Sequence, residues 1–154
     1  MSNSLVQALI AHFDSVFIGP NGDYPAVLEA VEGVSVAKAL WKPAPNRNSI
    51  WQIVEHLIAS KEWQIEMILH GQTPAPEWIE PSGDEANWQA TIARLKNAHQ
   101  RLKLVLTGLP ENDLLEIPAG EKTCTLLELL LSSGPAHEAH HGGQIDYLKG
   151  MQTE

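Results

Sequence analysis

The run His137-Glu138-Ala139-His140-His141 sets two imidazoles four residues apart. On a helix such residues lie one turn above each other on one face, so His137 and His141 can share a ligand. Advancing about 100° per residue, Leu130, Gly134, His137, His141, Ile145 and Leu148 fall within a stripe roughly 80° wide, with His140 outside it on the flank. Burying two imidazoles on an apolar stripe is costly unless their nitrogens are satisfied, and a divalent metal ion satisfies them directly. Gly134, Gly142 and Gly143 leave room there for an ion with its water and a substrate, or for close helix contact. Gln144 lies within reach of the stripe as a hydrogen-bond partner for a ligating imidazole, while Glu138 and Glu128 read as solvated helix residues or caps.

Two imidazoles rarely hold a metal ion alone, so a third ligand is needed. His56, in Ile53-Val54-Glu55-His56-Leu57-Ile58, stands about 60° from Ile53 at the edge of an apolar stripe, which is compatible with pointing across to a neighbouring helix. His12 is the next candidate, because it shares a face with Leu5 and Leu9. His70, His99 and His140 read as ordinary histidines. His137-Glu138-x-x-His141 also matches the zinc-protease signature, in which a glutamate between two ligands serves as general base. That class draws its remaining ligand from farther along the chain. Here the thirteen residues after His141 hold no histidine and only Asp146 and Glu154 as carboxylates, which argues against a protease.

Four amphipathic helices must position these residues, and no segment alternates well enough to make a strand. The first spans residues 4–17 and ends at Gly19-Pro20-Asn21-Gly22. A short helical piece covers 26–31, and 41–48, with Pro43 and Pro45, is a connector. The second helix opens at the capping box Ser49-Ile50-Trp51-Gln52 and runs to Leu69, stopping at Gly71. The third runs from Asp84 to Thr107, ended by Gly108 and Pro110. The fourth opens at a second capping box, Thr125-Leu126-Leu127-Glu128, and extends to Lys149 with a kink or break at Pro135. Trp51, Trp63 and Trp88 read as core anchors. The expected fold is all-α, an up-down four-helix bundle with a metal site between helices, in one domain over residues 1–154.

A net charge of -9 argues against binding a phosphate backbone, which needs clustered Lys and Arg. No run of about 18 apolar residues occurs, and the N-terminus lacks a basic segment ahead of an apolar one, so neither a membrane span nor a signal peptide is expected. The single cysteine, Cys124, suits a reducing cytoplasm. It lies at least three turns before His137 and is not cast as a nucleophile.

Two blocks carry a resemblance: Asn48-Ser49-Ile50-Trp51-Gln52-Ile53-Val54-Glu55-His56-Leu57, and His137-Glu138-Ala139-His140-His141-Gly142-Gly143-Gln144-Ile145. In order, spacing and helical setting the chain resembles the DinB-like superfamily of bacterial four-helix metal proteins. The resemblance implies a metal, commonly nickel or zinc, held by one histidine of the second helix and two of the fourth. By position these are His56, His137 and His141. It also implies a cytoplasmic homodimer, and no nucleic-acid partner despite the family name. Some such proteins transfer low-molecular-weight thiols. A basic residue is common just before G-Q-I in that family; here it is Gly142, so no substrate contact carries over from that position.

Three neutral imidazoles leave a divalent ion with open positions, the pattern of catalytic rather than closed structural sites. The reading that follows is a metal-dependent enzyme such as a small-thiol S-transferase, acting on a small molecule, with Glu138 or Gln144 orienting the bound species. A metal-dependent hydrolase and a non-catalytic metal-binding module are the alternatives.

Overall fold

Each long helix begins at a side chain that takes up an otherwise unpaired backbone N–H. Ser4 Oγ accepts from the Gln7 amide at 3.2 Å, and Asp84 and Asn87 cap each other reciprocally. Both capping boxes expected from the sequence form. Gln52 N donates to Ser49 Oγ while Ser49 N donates to Gln52 Oε1, and Thr125 and Glu128 exchange the same pair of bonds.

The computed structural model describes residues 4–71 and 74–152, and every regular element within them is helical. They are α1 (Leu5–Phe17), α2 (Val27–Val31), α3 (Val36–Leu40), α4 (Ile50–His70), α5 (Glu85–Thr107), a 3-10 turn at Glu111–Leu115, α6 (Leu126–Leu131), a π turn at Ser132–Ala136 and α7 (His137–Met151). The sequence signals α2 but not α3, a turn of helix that opens where Ser35 Oγ accepts from the Lys38 amide. The four-helix bundle is present, with α6, the π turn and α7 acting as its fourth member. Each of α1 and α4 packs against both α5 and α7.

Paired contacts fix the helix directions. Trp51 meets Thr91, Glu55 meets Arg94 and Lys61 meets His99, so α4 and α5 run parallel, and the bundle does not have the simple up-down order expected from the sequence. His56 meets His137 and Gln64 meets Ser133, so α4 and α7 are antiparallel. A parallel neighbour requires the chain to return along α4, whose 21 residues span about 32 Å. A connection as long as that between α4 and α5 can reach more than about 40 Å, so it suffices, and Trp78 and Glu80 within it meet His56 and Gln52 of α4 on the way.

Pro135 does not break the fourth helix. The π turn accommodates its missing N–H and its ring, and the hydroxyls of Ser132 and Ser133 bond to Leu129 O at 3.0 and 2.7 Å. Glycines here serve close contact. A Cβ on Gly134 would stand 2.3 Å from Phe13 Cζ, and one on Gly142 would stand 3.0 Å from Pro25 O, while Gly143 faces open space.

The core divides into two apolar clusters. One gathers Leu9, Phe13, Ile65, Leu102, Leu106 and Leu130. The other gathers Phe17, Ile53, Leu57, Ile58, Leu95 and Ile145. On every long helix at least one polar residue lies between the two: Asp14, Lys61 and Gln64, His99, and Glu138. A polar layer crosses the bundle at mid-height. Trp51 and Trp88 anchor the second cluster, as expected.

Candidate metal centre

His56 comes from the second turn of α4, near this layer, and His137 and His141 come from the first two turns of α7. His137 Nε2 lies 3.0 Å from His56 Nε2 and 3.0 Å from His141 Nε2. One ligand atom from each of the three lies within 4.8 Å of the others. Two nitrogens held at about 2.1 Å from one ion stand about 3.0 Å apart at right angles and about 3.4 Å apart at the tetrahedral angle, so the spacing is within a few tenths of an ångström of a shared divalent ion. Gln144 Oε1 accepts from His141 Nδ1 at 2.6 Å, which places that proton on Nδ1 and leaves Nε2 with a free lone pair. The Nδ1 atoms of His56 and His137 are buried without a hydrogen-bond partner among the described residues.

The electrostatics favour the neutral, ligating form. Burial holds His56 below the ordinary histidine range. Burial, then the proximity of His141 and His56, pulls His137 down to about 4. Burial likewise brings His141 down to about 4, against the opposing effect of its hydrogen bond to Gln144. Near neutral pH all three imidazoles are therefore uncharged, the state in which nitrogen can bind a metal.

The site has an aromatic wall. Trp78, on the connection between α4 and α5, stacks on His56 with ring centroids 4.1 Å apart and planes 8° apart. Its segment is anchored by Glu80, which accepts from Gln52 Nε2 at 2.8 Å and pairs with Lys42 at 2.6 Å. Sequence reasoning missed Trp78, because nothing local marks where a Pro-containing connection will lie. Gln144 also lines a cleft of about 240 Å³ with Asn46, Arg47, Asn48, Ile53 and Tyr147. A larger groove of about 630 Å³, beside Trp88 and Ile92, is lined by none of the three histidines.

Other candidates fall elsewhere. His12 and His140 are exposed, so the alternative third ligand is not brought to the cluster. Glu138 is no solvated helix residue: it is 2% exposed, and its Oε1 accepts from Lys61 Nζ at 2.5 Å. That carboxylate is committed to Lys61, so it does not serve as the general base of a protease-like site. Lys61 Nζ also lies 3.1 Å from His99 Nδ1, and His99 Nε2 lies 2.8 Å from Asp14 Oδ1. Lys103 Nζ closes the chain at 2.6 Å from Asp14 Oδ2. His99, read from sequence as ordinary, is fully buried in this chain. Its only sequence signal was its place beside Ala98 and Leu102 on a buried face.

A sequence model described as the DinB superfamily matches residues 23–145, a span that contains all three histidines. A crystal structure of a DinB-like protein from Bacillus subtilis is similar over 96% of this chain and 94% of its own, with a TM-score of 0.68 and 23% identity. At that identity the likeness establishes the fold. No curated protein matches the chain. Among the described residues no helix is long and apolar enough to cross a membrane.

Proposed function

The chain belongs to the DinB superfamily, and on that premise we propose that His56, His137 and His141 bind one divalent metal ion, nickel or zinc, and that the protein is a metal-dependent enzyme transferring a small thiol to an electrophile. The observation that carries the reading is the meeting of three neutral imidazole nitrogens at one point. Three protein ligands are the number found in open, catalytic sites. His56 and His137 are only half-buried, so a small molecule has an approach. A divalent ion held there lowers the pKa of a thiol or water that joins it, so a nucleophile is available near neutral pH.

The residues around the cluster have separable tasks. Gln144 fixes the tautomer of His141. Trp78 covers one face of the His56 ring, limits water on that side and offers an apolar surface to a substrate. Lys61 keeps the Glu138 carboxylate away from the substrate side, so an acceptor for the thiol proton must come from solvent or from the substrate.

The first test is elemental analysis of protein purified without a histidine tag. Close to one divalent ion per chain is expected, and both His56→Ala and His137→Ala should abolish it while His140→Ala leaves it intact. Stoichiometric metal in His56→Ala removes that residue from the ligand set. Metal-loaded protein is then incubated with several low-molecular-weight thiols and a chromogenic electrophile. Metal-dependent rates with a thiol support the transferase. Rates only with an ester or amide panel replace it with a hydrolase, and silence in both panels leaves a metal-binding module.

A further inference from the structure

We propose that the buried Lys61–Glu138 pair, braced by His99 and Asp14, sets the axial register of α4 against α7 and so brings His56 to His137 and His141; its consequence for metal binding rests on the reading above. The chain Glu138–Lys61–His99–Asp14–Lys103 draws on all four members of the bundle, α7, α4, α5 and α1. Lys61 is 1% exposed and Glu138 2%, so neither charge has solvent to fall back on.

Register needs such a device here. Above and below the polar layer the α4 face is aliphatic, with Ile53, Leu57, Ile65 and Met67. The fourth helix answers with Leu126, Leu129, Leu130, Ile145 and Leu148. Aliphatic contacts are non-directional, and a slide of one helical turn, about 5.4 Å, exchanges one leucine-like contact for another at small cost. The same slide carries His56 out of reach of His137, since the Nε2 separation is 3.0 Å. It also parts Lys61 from Glu138 and leaves two uncompensated charges in an apolar interior, the costly outcome for a buried ion pair. Gln64, donating to Ser133 O, ties the same two helices, but a neutral amide gives up less on slipping. The close packing of Gly134 on Phe13 locks the fourth helix against α1 and does nothing for α4.

Two readouts separate register from mere stability. In a Cys124→Ser background, spin labels at Glu66 of α4 and Tyr147 of α7, both exposed, report the offset of the helices by pulsed electron resonance. The labels sit toward opposite ends, so an axial slide changes their distance. In the metal-free Lys61→Met/Glu138→Leu double variant, which removes both charges together, the distance distribution should shift or broaden by several ångströms, up to about one turn. Cobalt affinity, measured by competition with a chelator, should fall about 10- to 100-fold, while the unfolding midpoint stays near that of the parent. Glu138→Gln, a smaller perturbation, should move both readouts in the same direction and decides the matter if the double variant does not fold. An unchanged distance distribution overturns the proposal whatever the affinity, and a shifted distribution with unchanged affinity overturns its link to the metal site. Absence of cobalt binding in the parent protein counts against the metal reading alone, because the label distance still tests the register.

Discussion

Acidification should destabilise the metal-free protein through His99, and His99→Gln should remove that part of the effect. The imidazole is fully buried, stacked on Phe17 with centroids 4.0 Å apart, and faces Lys61 on one nitrogen and Asp14 on the other. Burial, then the charge on Lys61, depresses its pKa to about 4 against the opposing pull of Asp14. In the unfolded chain the same group titrates near 6.5. Below pH ~6.5 the unfolded state therefore binds the proton and the native state does not, so stability falls with pH until the native group itself titrates near 4. One proton linked in this way costs about 2 kcal/mol at pH 5 and approaches about 3 kcal/mol below pH 4. Other groups also respond: burial raises Glu138, whose contribution has the opposite sign, and lowers His137 and His141 in the same sense as His99. Comparing parent and variant cancels these terms. Glutamine offers one acceptor for Lys61 and one donor for Asp14 without a titrating proton. Urea unfolding at pH 7 and pH 5, with chelator present, should show a drop in stability about 2 kcal/mol larger in the parent than in His99→Gln. Equal drops in the two proteins refute the assignment of a depressed pKa to His99.

Gly134→Ala forces a methyl into Phe13 and should cost about 1–3 kcal/mol in urea unfolding, partly recovered by Phe13→Leu in the same chain. Gln144→Leu removes the partner of His141 Nδ1 and should weaken metal binding about 10- to 100-fold by chelator competition, with unfolding unchanged because Gln144 is exposed. Light scattering at micromolar protein should give the mass of a homodimer, the state implied by the resemblance, and a monomer mass refutes it.

What the sequence determined by itself was local. Ser49 with Gln52 and Thr125 with Glu128 specify helix starts because a cap needs only residues three apart. His137 and His141 share a face because four residues make about one turn, whatever the rest of the chain does. The two blocks around His56 and His137 were enough to identify the family. The third member of the cluster was another matter: helical phase left His56 at the edge of its stripe and His12 open as the alternative. Only packing put His56 Nε2 beside His137 and left His12 in solvent. The same holds for Trp78 on His56, whose placement depends on the path of a connection returning along α4. Pro135 reads as a kink in one dimension, yet a π turn absorbs it within the packed bundle. Lys61, His99 and Glu138 each look like ordinary surface or flank residues in one dimension. Their burial is decided by partners on other helices, since a charge enters a core only where an opposite charge and hydrogen bonds meet it, and that pairing spans separations of 38 and 77 residues.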